Sequence, residues 1–268
     1  MKHDHCVAHA PRYEDIPLNG IEKDIVTAMA GGLTRPDAVV EDVIVGPKFI
    51  AVVAGGRMGL SSLLGALPRE AESGLAAQSV GSAAARVAEH ILSPSPFAVC
   101  LGMAALNAAN TPDRLALTDD DRPADALIAE LGQGRTVGVV GDFPFTASLR
   151  ERVGTLHLFE LREVPDAVPQ DRWDETLAGL DVLAVTGTAL LTRQMGYFLS
   201  QAGRAVSIVL GPTTPLSPAL FRFGADYLCG SVVTDPALVG EGIRTGLSFR
   251  AIKKSGGIRF VTWNKKDA

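Results

Sequence analysis

TVGVVGDFPF, Thr136 to Phe145, decides how the second half of this chain is read. A short β-branched run closes on Gly141, and a helical pattern, Phe145–Val153, follows. Strand, glycine turn and helix in that order open a nucleotide-binding unit. The G-x-G-x-x-G fingerprint is missing, however, because Phe143, Pro144 and Phe145 stand where small residues would admit a pyrophosphate. The stretch therefore predicts a fold while disfavouring NAD. Pro144 and its flanking rings read as a stiff apolar wall.

Downstream the same rhythm repeats. Strands are expected at Leu156–Leu161, Asp181–Thr188, Ala205–Pro212 and Asp226–Val233. The helices between and after them are expected at Trp173–Ala178, Leu190–Ala202, Pro218–Phe223 and Pro236–Leu247. Apolar strands that each lead into a helix indicate a parallel sheet covered on both faces, and right-handed crossovers favour an open, doubly wound sheet.

Upstream the order differs. NGIEKDIVTAMAGGL reads as a helix with Asn19 as its cap, Ile21, Ile25 and Met29 on one face, and Gly31-Gly32 as its stop. Val39–Val45 and Phe49–Ala54 flank Gly46-Pro47-Lys48 as a hairpin, from which AGGRMGLSSLLG leads away. Helical patterns at Val80–Leu92 and Phe97–Asn110 end before prolines. Hairpin and then helices is an α+β order. TPDRLALTDDDRPADA separates the two halves, so one domain is expected over 1–120 and another over 121–268. Asp119-Asp120-Asp121 suits the start of a helix over Pro123–Leu131 better than a metal site.

The formal net charge of −5 and the lack of a basic stripe argue against nucleic acid. No apolar run approaches the ~20 residues that span a bilayer, and the N-terminus lacks the apolar core of a secretory signal. Cys6, Cys100 and Cys229 form no CxxC pair, so a cytoplasmic, reduced protein is expected. Cys100 and Cys229 lie in apolar stretches and read as buried, unreactive thiols. No HExxH and no Ser-His-Asp ordering supports hydrolysis, and catalysis is left open. His3, His5, Cys6 and His9 form an HxHCxxH cluster able to hold Zn, Ni or Cu, either as a functional site or adventitiously at a terminus.

Ligands of open α/β sheets bind outside the carboxyl ends of the strands. Here those ends carry Gly141-Asp142, Glu160, Thr186-Gly187-Thr188, Gly211-Pro212-Thr213-Thr214 and Gly230-Ser231, a set of small and hydroxyl residues. Glu160 lies 19 positions past Gly141, where dinucleotide folds carry the acid that accepts from ribose hydroxyls. It could equally pair with Arg162 or Arg150. Thr186 and Thr188 before a helix would suit an anionic group, though Thr188 as a plain N-cap explains the same residues.

With these segments in view, the chain resembles a prokaryotic family known as the putative heavy-metal-chelation, domain-of-unknown-function proteins. The residues that carry the likeness are VVEDVIVGPKFIAVV with its following glycines, LGMAALNAAN, VVGDFPF, LFEL, VTGTALLT and VLGPTTPLSPALFRFGADYLCGSVV. The resemblance implies an α/β chain with an α+β, enolase-N-terminal-like domain followed by a Rossmann-like, doubly wound one. It also implies a cleft between them that takes a transition metal ion, a metal complex or a metal-chelating small ligand. By position the cleft would draw on Gly55, Gly56, Gly59, Asn107, Gly141, Glu160, Thr186, Gly187, Thr188, Gly211, Pro212 and Thr213. Such proteins often carry an asparagine after the TGTAL run, where this chain has Thr192. The alternative is a Rossmann-like enzyme with an adenosine-containing or other anionic cofactor. A homo-oligomer is left open.

Overall fold

The computed structural model describes residues 18, 20–64, 70–110 and 122–268. Asn19, the N-terminal His/Cys cluster and Asp119–Asp121 lie outside them. The described residues form a two-unit α/β architecture with a small antiparallel sheet and a larger, mostly parallel one.

In the first unit, helix α1 (Gly20–Gly31) precedes three strands, β1 (Val40–Val45), β2 (Phe49–Ala54) and β3 (Arg57–Ser62), paired in the order β1-β2-β3. The expected hairpin is present, but AGGRMGLSS does not lead away from it. Gly55 and Gly56, with φ of 53° and 73°, make a two-residue turn that folds Arg57–Ser62 back as the third strand. The expected single helix over Val80–Leu92 is also corrected. Helix α2 (Glu70–Ser79) ends before it, and α3 (Ala84–Ala88) runs into a 3-10 turn at Glu89–Leu92. Helix α4 (Pro96–Ala109) follows the expected span, with Ser95 accepting from the Ala98 amide as its cap and Pro96 in its first turn.

α4 is apolar on every side and nearly every residue of it is buried, as expected of a helix with no solvent face. It packs on β2 and β3 at van der Waals limits. A Cβ added at Gly59 of β3 would sit 2.1 Å from the Ala108 nitrogen, and one at Gly102 of α4 would sit 2.3 Å from the Ile91 nitrogen. The other face of the small sheet, with Ile44, Phe49, Ala51, Met58 and Leu60, packs on Val239, Ile243, Ile252 and Ile258 of the second unit. Strand β2 is therefore buried on both faces, which is why FIAVVA lacks polar alternation.

The second unit contains α5 (Ala124–Leu131), β4 (Thr136–Val140), α6 (Thr146–Leu149), β5 (Thr155–Phe159), α7 (Trp173–Ala178), β6 (Val182–Thr186), α8 (Met195–Gln201), β7 (Val206–Leu210), α9 (Ala219–Arg222), β8 (Tyr227–Val233), α10 (Pro236–Arg244), α11 (Phe249–Lys254) and β9 (Ile258–Asn264). The sheet order is β5-β4-β6-β7-β8-β9. β4 to β8 are parallel as expected, whereas β9 pairs antiparallel with β8 over seven residues and makes the sheet mixed. From β4 the chain goes out to β5, then returns past β4 to β6. The carboxyl ends of β4 and β6 therefore flank the point where strand order reverses.

Two further expectations are corrected here. The helix expected from Phe145 to Val153 is a single turn, α6. The one expected from Leu190 to Ala202 is a 3-10 turn at Gly187–Ala189, then irregular chain, then α8 from Met195. One apolar core runs through both units, joining Ile25, Leu101 and Leu106 to Phe198, Leu220 and Trp263. Among the described residues no helix is long and apolar enough to cross a membrane.

Candidate functional site

The strand-end loops where a ligand crevice is expected begin with Gly141. Its φ of 100° lets the chain leave β4 at once, and its α-carbon faces Thr186, whose side chain would lie 3.2 Å from an added Cβ. Its amide donates to the Phe159 carbonyl, continuing the β4–β5 ladder one residue past the strand. Phe143 and Phe145 stack at 4.9 Å with planes 14° apart, which makes the stiff apolar wall beside this turn.

Glu160, at the end of β5, accepts four hydrogen bonds. The Leu161 and Arg162 amides donate to Oε1 at 2.9 and 3.2 Å. The Asp142 amide and the Arg162 guanidinium donate to Oε2 at 3.2 and 3.0 Å. A carboxylate offers about four lone-pair sites, so all are occupied and none remains for a ribose diol. Burial pushes the Glu160 carboxyl upward, but the Arg162 side chain and amide, the Arg162 charge and the Asp142 amide outweigh it and hold the group below the usual range. Glu160 thus pairs with Arg162 and ties the ends of β4 and β5 together.

At the end of β6, the Thr186 and Thr188 hydroxyls are 2.8 Å apart, and the Thr188 amide also donates to Thr186 Oγ1. Both residues are half-buried. Gly187 between them touches the next loop: a Cβ there would lie 2.6 Å from the Thr214 nitrogen. Thr192 directs its hydroxyl to the Thr188 and Ala189 carbonyls of its own turn. The anion reading of Thr186 and Thr188 rests on a helix starting there, but only a three-residue 3-10 turn, capped by Thr186, follows the strand. The α-helix begins only at Met195, and its Gly196 and Tyr197 amides donate to the Glu22 carboxylate of α1.

The loop after β7 meets the first unit. Thr213, 1% exposed, accepts from the Ser62 amide at 2.9 Å and donates to the Ser62 hydroxyl at 3.0 Å. Asn107 of α4 donates through Nδ2 to the Leu60 carbonyl at 2.8 Å and the Thr213 carbonyl at 3.1 Å. Beside this seam Gly211, with φ of 111°, has open space where a side chain would be, and Pro212 is half-buried. Thr214, which the cleft set did not include, holds a buried hydroxyl with no hydrogen-bond partner. The sequence already places Thr214 at a strand end; the tertiary structure adds its contact with Gly187.

The structure thus links Asn107, Thr213, Gly187, Thr186, Thr188, Gly141 and Glu160 through a chain of contacts that passes through Thr214 and Asp142, with Gly211 and Pro212 beside them. It does not bring Gly55 and Gly56 there. They lie at the opposite end of β3 from Ser62, about 17 Å away along the strand. Arg35 holds them by donating to the Gly55 carbonyl, and Glu41 accepts from the Gly56 amide. Gly59 is a packing position under α4, with no room on its α-carbon for anything but that helix.

Among the described residues no three His, Cys, Asp or Glu side chains gather as a metal-ligand set. Burial pushes the Cys100 thiol up to about 11, so it stays protonated, and Cys229 is buried as well. The side chains of Asn107, Thr186, Thr188 and Thr213 offer hydroxyl and amide groups, which do not fit a bare soft metal ion.

A search of curated proteins found none that matches. Solved structures do match, two of them as follows. A DUF364-family protein of unknown function from Desulfitobacterium hafniense DCB-2 shares 25% identity with a TM-score of 0.79, over 91% of this chain and 98% of that one. A DUF364-family protein of unknown function from Pyrococcus horikoshii, at 16% identity, has a TM-score of 0.68 over the same shares and supports the fold alone. A second family model, DUF4213, also described as "Putative heavy-metal chelation", matches residues 27–110. The DUF364 model, with that same description, matches residues 125–262, more than half of the chain, and the chain belongs to that family.

Proposed function

We propose that the chain binds a metal-chelating small molecule, or a metal already held by one, in the crevice where the β4, β6 and β7 ends meet the first unit. In this reading the first unit, residues 1–120, is an enolase-N-terminal-like domain and the second, 121–268, a Rossmann-like one. Family membership supports the link to metals. The observation that carries the rest is the Asn107–Thr213–Ser62 seam, which fixes the β7 loop against α4 and β3. The loop with the Thr186–Thr188 hydroxyls touches this seam through Gly187 and Thr214, and the Gly211 α-carbon beside it has open space. A chelate brings its own metal-ligating atoms, so the protein need supply only oxygen and amide contacts.

The test is metal and ligand analysis of natively purified protein, together with thermal melting against Zn, Ni, Co, Cu and Fe. Both are run with and without residues 1–10, which carry His3, His5, Cys6 and His9. A co-purifying metal chelate, with stabilisation that survives removal of the N-terminus, is the expected result. Absence of any co-purifying chelate, with stabilisation by bare ions that disappears when residues 1–10 are removed, would move the function to the N-terminal cluster.

A further inference from the structure

We infer that the loop between β7 and α9 is the moving part of the ligand site, and that the Thr214 and Ser217 hydroxyls pair with the bound ligand. This inference rests on the metal-chelate reading above and adds to it the side chains that the ligand satisfies.

Thr214 is 3% exposed and Ser217 0%. Neither hydroxyl oxygen reaches solvent, and neither has a hydrogen-bond partner among the described residues. A buried hydroxyl left unpaired keeps its full desolvation cost. Native proteins carry few such groups, and two in one short loop call for a cause. The preceding residue is the opposite case, since Thr213 both accepts from the Ser62 amide and donates to the Ser62 hydroxyl. Ser217 stands just before α9, yet its hydroxyl caps no amide of that helix.

Both residues follow the carboxyl end of β7, on the side of the sheet where open α/β folds bind ligands. Their segment lies against β6 and β8, and a glycine makes room for it on each side. A Cβ at Gly187, just after β6, would lie 2.7 Å from Thr214 Oγ1. One at Gly230 of β8 would lie 2.9 Å from Leu216 and 3.1 Å from the Thr214 carbonyl oxygen. Close packing seals the two hydroxyls but supplies them no partner. A ligand therefore meets them only when the segment shifts. Gly211 gives the chain room to turn at the start of the loop, with φ of 111° and no atom within 4 Å of an added Cβ. The free chain holds the loop in a seat with two unmet hydrogen-bonding groups, and the ligand supplies what the seat lacks.

The experiment compares the full chain with Thr214→Val, Thr214→Ser and Ser217→Ala, first free of metal and then with nickel bis-histidinate as the chelate. Metal-free Thr214→Val and Ser217→Ala are expected to melt about 2–4 °C above the parent, because each removes an unpaired hydroxyl at nearly constant shape. The chelate is expected to raise the melting temperature of the parent and to change amide hydrogen exchange over residues 211–221. Thr214→Val is expected to lose both responses and Thr214→Ser to keep them. A lower melting temperature for either apolar variant shows that its hydroxyl is already satisfied in the free chain and overturns the inference. Undiminished chelate stabilisation of Thr214→Val, or unchanged exchange in a parent that binds, overturns it as well and leaves the metal reading standing. A chelate that stabilises no form overturns the metal reading and this inference with it.

Discussion

The Tyr197 amide at the start of α8 donates 3.1 Å to the carboxylate of Glu22, in the first turn of α1 and 175 residues away in sequence. The Gly196 amide donates to the same group. Gly196 has to lack a side chain, because a Cβ there would lie 2.6 Å from Ile21 Cγ2 and 3.0 Å from Glu22 Oε1. One unit thus caps a helix of the other, and that helix follows the Thr186–Thr188 loop. Arg193, in the left-handed region at φ 55°, makes a second tie from the same loop by donating to the Ser93 carbonyl at 2.9 Å.

Burial pushes the Glu22 carboxyl upward, and the Tyr197 and Gly196 amides only partly oppose this. A carboxyl with a raised folded pKa stabilises fully below its unfolded pKa, about 4.3 for Glu, and loses that contribution as pH rises through the folded value. Glu22→Gln keeps an acceptor oxygen and cannot ionise. Melting scans should therefore show its stability relative to the parent increasing from pH 4 to pH 7. Glu22→Ala leaves two amides uncapped and should cost about 1–2 kcal/mol.

Glu160 carries the opposite sign. Its lowered pKa contributes stability that is present above the unfolded pKa and lost as pH falls through the folded value. Glu160→Gln replaces one acceptor oxygen by a donor facing two donors, and should destabilise by about 1–3 kcal/mol at pH 7. The difference from the parent should shrink in acid denaturation below pH 4. ATP, NAD, adenosylmethionine and coenzyme A should leave the melting temperature unchanged, because this carboxylate has no acceptor site left for a ribose.

Thr213→Val removes the acceptor of the Ser62 amide at a buried seam and should cost about 1–3 kcal/mol. Thr213→Ser, which keeps the hydroxyl, should recover most of it in chemical denaturation. Because one core runs through both units, the loss should appear in a single unfolding transition rather than in one of two.

Gly59→Ala places a methyl within 2.2 Å of the Ala104 carbonyl oxygen, and backbone atoms cannot swing aside. About 3 kcal/mol of destabilisation is expected, at the upper end for overpacked cores, against a fraction of that for the unobstructed Gly56→Asn. Denaturant midpoints of the two variants check this. Weakened ligand binding in a stably folded Gly59→Ala variant would instead place Gly59 at the crevice.

Local rules made several elements legible. Ser95-Pro96 marks the start of α4, Trp173–Ala178 is the helix its pattern predicts, and the β-branched runs around Gly138 and Leu183 are parallel strands. The glycines and threonines at the strand ends were visible for the same reason, since turn chemistry is local. The third strand was hidden because Arg57–Ser62 holds Gly59 and two serines, whose strand state comes from α4 pressing on Gly59 and from Ser62 pairing with Thr213. The break between Thr188 and Met195 was hidden too. Leu190-Leu191 suit a helix, but the core takes both side chains, and Glu22 moves the helix start to Met195.

The sequence by itself determined most strands of the second unit, the parallel sense of β4 to β8 and the family, because these follow from short-range patterns and their spacing. The tertiary structure alone decided which strand-end groups are free. Glu160 is occupied by neighbours brought in from two loops, the α8 amides by a carboxylate 175 residues distant, and Thr213 by the first unit. Hydrogen-bond saturation depends on contacts between segments remote in sequence, so which strand-end groups are already occupied is fixed only once the chain is folded.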